Sequence, residues 1–312
     1  MKVFLPGGAG LVGLNLIALL QINHPDWELL VVDKKPEAVG IARKLFPKVS
    51  FLLEDLTLTD GQHWPEAIRG CDACVMLQAE IGNTNPSLFE RNNVRSTEVV
   101  LEQLRFAGIQ RLVHVSSSVV NSVATDLYTQ TKLKQEELVL QNWAGAVVLR
   151  PTLMFGWFDR KHLGWLARFM HKLPLFPIPG SGRFVRQPLY VSDFCILIQR
   201  CLENPVLQGT YDITGLEKVS YLSLMRQLRD AAKARTWIIH LPIPLFGLLL
   251  QLWALISRQP AFTRSQLNAL TAGDEFEVID WPGIFSVSPT PLAEALRITF
   301  QDSRFSQVVM PF

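Results

Sequence analysis

Short apolar, β-rich runs alternate with stretches of helical periodicity through the first half of the chain. Residues 3–5, 29–32, 50–53, 73–77, 112–116 and 146–149 read as strands, and helix-like segments lie between most of them. Alternation of this kind predicts an α/β fold whose parallel sheet is covered on both faces. Beyond residue 151 the pattern changes. Aromatic residues thicken, prolines cluster over 174–179, and Gly180, Ser181 and Gly182 mark a loop, so a second lobe is expected there. One strongly apolar run, 245–256, follows Ile238, Ile239, Leu241 and Ile243 and is interrupted by Pro242, Pro244 and Gly247. A spanning helix needs about 20 apolar residues, so the expectation is a buried helix of the second lobe, with a helix lying against a membrane surface as the alternative.

Composition narrows the picture only modestly. The 312 residues are 48% hydrophobic, enough for a full core. A net charge of +2 gives no global field that would point to nucleic acid. The first strand starts directly after Met1, leaving no room for a secretory leader, so a cytoplasmic protein is expected. Cysteines at 71, 74, 195 and 201 form neither a disulfide framework nor a zinc-ligand pattern, so thiols and no metal are expected.

The first candidate chemistry follows the first strand. Gly7-Gly8-Ala9-Gly10-Leu11-Val12-Gly13 places Gly7, Gly10 and Gly13 at three-residue spacing ahead of a helical run. The chain must turn sharply there, let its backbone approach a pyrophosphate, and present a helix N-terminus to the anion. Asp33 ends the second strand about 20 residues after Gly13, where a carboxylate accepts from adenosine ribose hydroxyls and repels a 2′-phosphate. That context predicts a Rossmann half binding NAD; Lys34 and Lys35 leave NADP possible. Asp55, followed by Leu56, is either a loop acid or an adenine contact.

Tyr128 and Lys132 stand four residues apart at the start of a predicted helix, so their side chains share a face. An ammonium fixed beside a phenol favours the phenolate and brings it into a useful range for moving protons. Upstream, Ser116, Ser117 and Ser118 end a strand, where side chains of an open parallel sheet meet ligand; Ser118 is the candidate donor to a reacting oxygen.

Together these residues resemble the extended short-chain dehydrogenase/reductase family, in particular its NAD-dependent sugar-nucleotide epimerase/dehydratase group. The resemblance runs over nearly the whole chain and also includes Asp55-Leu56, Asn93-Val94 with Thr97, Leu149-Arg150-Pro151 and the stretch from Gln187 to Asp193. It implies a doubly wound parallel-sheet Rossmann fold with a smaller C-terminal substrate-binding lobe, divided at 1–151 and 152–312 with a return segment near 188–214. It further implies a cofactor cradle of Gly7, Gly10, Leu11, Val12, Gly13, Asp33, Asp55 and Leu56, with Lys132 on the nicotinamide ribose. Ser118 would bind the substrate, Tyr128 would shuttle the proton, and Arg186 would grip a nucleotide-sugar diphosphate; Arg160, Lys161, His162 and Arg168 either line the same anionic site or form a solvated helix face. A homodimer is implied too, with the helix over 90–107 as a candidate interface.

Three departures bear on the substrate. Leu153 replaces an asparagine that commonly binds phosphate, the stretch from Ser118 to Tyr128 is short, and no second diphosphate-binding arginine is evident. Val119 and Val120 stand where dehydratases commonly carry an Asp-Glu pair, which disfavours elimination and leaves 4-epimerisation or 4-keto reduction. Two alternatives remain open. One is a dehydrogenase of a hydrophobic, steroid-like alcohol, suggested by Trp157, Phe158, Trp165, Phe169 and the apolar run. The other is a non-catalytic nucleotide-binding assembly protein related to the complex I accessory subunit, which the short loop brings to mind.

Overall fold

The computed structural model describes residues 1–83, 85–121, 126–256, 267 and 276–311. Its first half supplies six strands: β1 (Lys2–Pro6), β2 (Glu28–Asp33), β3 (Ser50–Leu53), β4 (Ala73–Met76), β5 (Arg111–Val115) and β6 (Val147–Pro151). Four short strands follow, β7 (Met154–Phe155), β8 (Leu175–Pro179), β9 (Val185–Arg186) and β10 (Leu189–Tyr190), then β11 (Gly209–Ile213), β12 (Val219–Ser220) and β13 (Trp237–Leu241). A seven-stranded sheet in the order β11-β6-β5-β4-β1-β2-β3 forms the centre, and all its pairings are parallel. The fold is the doubly wound Rossmann type. Strand order reverses between β1 and β4, so a ligand crevice opens beyond their C-terminal ends.

Side chains alternate across the sheet and build two cores. Val3, Leu5, Val31, Val75, Val113 and Val147 face the helix Leu11–Asn23, which packs on the helix Val191–Glu203. Phe4, Leu30, Val32, Cys74, Met76 and Leu112 face the opposite way, against Val100 and Leu104 of the helix Ser96–Phe106. The cysteines are four buried free thiols.

A third core, with Phe155, Phe176, Ile178, Leu224 and Leu296, lies under the second lobe. Its strands form only two-stranded pairs: β7 with β10, β9 with β12, and β8 with β13. Most of the proline cluster, to which the sequence assigns no element, is therefore strand. A two-stranded pair leaves each strand one open edge, where Pro177 and Pro179 lose no ladder hydrogen bond for want of an N–H.

Two further segments differ from expectation. The stretch 90–107 is not one α-helix: a π-helical turn, Glu90–Arg95, precedes the α-helix Ser96–Phe106. The apolar run forms the helix Ile243–Ile256, but it is not buried as expected: Leu245, Leu248 and Leu249 are exposed, and Gly247 and Leu250 turn inward. No described helix is long and apolar enough to cross a membrane.

Candidate active site

The glycine turn lies at the crevice, and three of its glycines are required for three different reasons. Gly7 has φ +76°, and a Cβ there would lie 2.5 Å from the Cα of Gln78, so the turn presses against the chain leaving β4. At Gly13 a Cβ would lie 2.2 Å from the Gly8 carbonyl oxygen, because the helix packs directly on the turn. At Gly10 the nearest atom would be 3.7 Å away, so that position faces open space on the ligand side. Gly10 caps the helix without a side-chain hydrogen bond, and the first turn, Leu11 and Val12 included, carries no acid. The positive end of the helix dipole is left for an anion.

Asp33 stands beside this cradle. Its carboxylate accepts from the backbone N–H of Ala9 (3.3 Å) and of Lys35 (3.1 Å). Burial nonetheless raises its pKa above the usual carboxylate value. These residues fit the pyrophosphate and ribose of a dinucleotide.

Lys34 donates to the amide oxygen of Asn92. Asp55 accepts from the N–H and hydroxyl of Thr57 and pairs with Arg91 at 2.7 Å. Partial burial opposes its ionisation, but these partners hold its pKa below the usual value. Leu56, the next residue, is buried in the second core.

The proton-handling groups meet at the end of β5. Asp126 caps the helix Leu127–Asn142 by accepting from the Thr129 N–H at 3.1 Å, which sets Tyr128 in the first turn. The Tyr128 hydroxyl hydrogen-bonds Ser117, and burial raises the phenol pKa. Lys132 is fully buried one turn on; its Nζ donates to the Val115 carbonyl (3.0 Å) and to the Gln135 side-chain oxygen (2.5 Å). Burial lowers it to about 7, against the pull of Glu136. The lysine is thus anchored to the strand end and to Gln135, and its charge is poised near neutrality.

The three serines divide their work. Ser116 donates to Glu136 at 2.5 Å, and Glu136 is paired with Arg150, which lies 3.6 Å from Asp212. Ser117 holds the phenol, and Ser118, buried, opens the short 3₁₀ turn Ser118–Asn121. Gln135, not singled out in the sequence, links Lys132 to β4 by donating to Thr97 Oγ1 (2.9 Å) and the Gln78 carbonyl (3.3 Å). Its signal was its spacing of three from Lys132 on one helix face. Asn93, in the π-helical turn, donates to Thr131 (2.9 Å) and accepts from the Glu80 N–H (2.6 Å), closing the same wall.

The residues expected at a diphosphate are more dispersed. Arg186 is buried on β9, donates to the Val185 carbonyl and lies near Tyr221. Arg160 donates to the Pro311 carbonyl (2.6 Å), Lys161 to that of Ile81 (2.8 Å), and Arg168 to those of Asp159 and Arg160. Burial lowers Lys161 to about 8, with Arg160 and Lys35 adding to the effect. The charges of Arg160 and Lys161 are felt by Lys35 and by Asp33 or Glu80, at the adenosine end of the crevice. His162 is exposed at the surface, and desolvation by its surroundings lowers its pKa. Asp193, at the end of the recognised 187–193 stretch, accepts from the N–H and hydroxyl of Thr290 and ties the lobe together. Trp157 and Phe158 are core residues packed on Phe305, whereas Trp165 and Phe169 stack at 5.0 Å in a half-buried pair.

A sequence model of the NAD dependent epimerase/dehydratase family matches residues 3–214, the glycine turn, Tyr128 and Lys132 among them. The chain belongs to that family. NAD is the cofactor for which the family is named, and the cradle just described fits it. Among curated relatives, a 4-hydroxy-2-methyl-3-oxo-4-farnesyl-3,4-dihydroquinoline-1-oxide ketoreductase of Stigmatella aurantiaca is 29% identical over 78% of this chain and 76% of its own length. The alpha subcomplex subunit 9 of rat mitochondrial NADH dehydrogenase is 26% identical over 73% of the chain, which spans only 60% of that subunit. A trifunctional UDP-glucose 4,6-dehydratase, epimerase and reductase of Arabidopsis thaliana is 24% identical over 74% of the chain and 38% of the plant protein. The fold matches UDP-glucuronic acid 4-epimerase from Bacillus cereus, solved with NAD, with TM-score 0.70 at 20% identity over 95% of this chain and 96% of that one. It also matches a dTDP-glucose 4,6-dehydratase from Streptomyces venezuelae, with TM-score 0.72 at 19% identity over 97% and 98%.

Proposed function

We propose that the protein catalyses hydride transfer at one alcohol or ketone carbon, the 4-position of a nucleotide-linked sugar, as a 4-epimerase or 4-ketoreductase. The observation that carries this reading is the Ser117–Tyr128 hydrogen bond at the end of β5, beside the buried Lys132 and within the glycine-turn crevice. NAD, when bound, supplies the hydride acceptor or donor. Tyr128 gives a proton to, or takes one from, the substrate oxygen, and Ser117 and Ser118 offer hydroxyls to that same oxygen. Lys132, lowered to about 7 by burial, gains charge readily when an anionic partner enters, and a charged Lys132 draws the phenol down toward a working pKa. Val119 and Val120 provide no second acid and base, which restricts the site to alcohol–ketone exchange.

The deciding experiment mixes the protein with UDP- and dTDP-linked sugars and their 4-keto forms and follows products by chromatography and NADH by absorbance. Conversion at C4 that vanishes in Tyr128→Phe is expected. Absence of turnover with every member, together with no binding of UDP, would overturn the sugar-nucleotide reading.

A second reading, reduction of a hydrophobic ketone, is favoured by one position. Leu153, where a phosphate-binding asparagine is common, is 39% exposed and apolar, and the Stigmatella ketoreductase is named for a farnesylated quinoline. Protection of the protein by UDP against thermal unfolding would argue against it.

A further inference from the structure

The exposed apolar surface of the second lobe is concentrated in one stretch of chain. Trp237, at the start of β13, is 76% exposed and stands beside its β8 partner Leu175, 50% exposed. From there β13 leads through Leu241 into the helix Ile243–Ile256, whose Ile243, Leu245, Leu248 and Leu249 are exposed. Leu245, Leu248 and Leu249 stand at helical i, i+3, i+4 spacing, so they form one stripe. Monomeric soluble proteins leave single leucines on the surface, not a stripe continued by a tryptophan-bearing strand.

Charge decides what such a stripe meets. Among the described residues from Ala231 to Ile256 the sequence has Lys233 and Arg235 and no aspartate or glutamate. Lys233 and Arg235 are exposed on the turn that leads to Trp237. An isologous dimer through this face would set its basic rim against itself, which like charges oppose. A bilayer with anionic headgroups satisfies both features: leucines enter the acyl boundary, Trp237 sits at headgroup level, and the lysine and arginine meet phosphate. The helix is too short to span the hydrocarbon core, since 14 residues at about 1.5 Å each cover only some 21 Å.

We infer that the Trp237–Leu249 surface docks the protein on an anionic membrane, with the helix lying in the interfacial plane. The test uses the full chain in flotation with vesicles of phosphatidylcholine alone and of phosphatidylcholine with phosphatidylglycerol, beside light scattering to report oligomeric state. Binding is expected to the phosphatidylglycerol vesicles and to weaken with added salt. Leu248→Gln with Leu249→Gln should lower partitioning by about tenfold or more while NAD binding is retained. Lys233→Glu with Arg235→Glu, which spares the apolar stripe, should lower it independently, so a misfolded leucine variant would not shield the inference. Failure of the parent chain to float with either vesicle overturns it. So does a dimer in solution that the leucine substitutions convert to monomer without any vesicle binding, which would assign the face to a second copy.

Discussion

The two halves of the molecule hold their functional residues by different means. In the sheet half, much of the candidate site extends from the ends of parallel strands paired on both sides: the glycine turn from β1, Gln78 from β4, and Ser116 and Ser117 from β5. Backbone hydrogen bonds to both neighbours set those ends, so the chemistry is positioned by the main chain. The second lobe has strands of two to five residues in isolated pairs, and it is tied down by side chains: Asp193 to Thr290, Glu217 to the Leu292 N–H at 2.6 Å, and Gln187 to the Phe276 N–H at 2.7 Å. A surface held this way tolerates exchange of individual residues more readily than a crevice that is a property of the sheet. On the proposed function, proton transfer would belong to the rigid half and substrate choice to the adaptable one.

The largest test of that contrast is Tyr128→Phe. Turnover should fall about 10³-fold with NAD binding unchanged by calorimetry; a smaller loss would move the proton carrier elsewhere. Next come the glycines. Gly13→Ala drives a Cβ into the Gly8 backbone and should lower the melting temperature by several degrees and remove NAD binding, whereas Gly10→Ala, with no chain atom nearer than 3.7 Å, should preserve the fold and weaken only NAD. Equal destabilisation by both would show that the turn is packed throughout and has no ligand side.

Lys132→Met separates function from stability. A fully buried lysine held near neutrality costs the ligand-free fold, so the variant should melt no lower than the parent while turnover drops about 10²-fold.

Acid provides a smaller effect. Burial lowers the pKa of His114, whose two ring nitrogens have no hydrogen-bond partner. A histidine with a folded pKa below its unfolded value of about 6.5 binds its proton first in the unfolded chain, so stability falls as pH drops below 6.5, by up to about 1.4 kcal/mol per pH unit. Thermal melts from pH 6.5 to 5.5 should show this slope, and His114→Leu should remove part of it; an unchanged slope would clear His114. The smallest effect belongs to the second lobe. Leu153→Asn should alter stability by no more than about 0.5 kcal/mol and, on the sugar-nucleotide reading, tighten UDP binding several-fold. No change in UDP affinity favours the hydrophobic ketone.

The sheet half was the more legible in sequence for the same reason that it is rigid. Buried parallel strands are unbroken apolar runs, and the six read from the sequence appear with ends shifted by at most two residues. A close-packed backbone turn demands glycines and so announces itself. What escaped were features without a periodic or compositional mark. Prolines concealed β8, since only the two-stranded pairing makes them acceptable there. The π-helical turn at Asn92 and Asn93 differs from an α-helix by one residue per turn, and apolar spacing does not resolve that. Three adjacent serines carry no mark that tells which of them meets the Tyr128 hydroxyl, a contact made by Ser117. The apolar run after Pro242 was expected inside because hydrophobicity reports avoidance of water and not what replaces it.

The pairing of β11 with β6 also bears on how the chain comes to be folded. The sheet is complete only when Gly209–Ile213 lies along Val147–Pro151, and until then Val147, Val148 and Leu149, fully enclosed in the finished protein, border an unpaired strand. At synthesis rates of about 5–20 residues per second, the roughly 60 residues between the two strands leave that edge open for several seconds on the ribosome. In that interval the growing chain is most exposed to pairing with a second copy of itself, and a polypeptide ending at residue 151 would remain in that condition for as long as it exists.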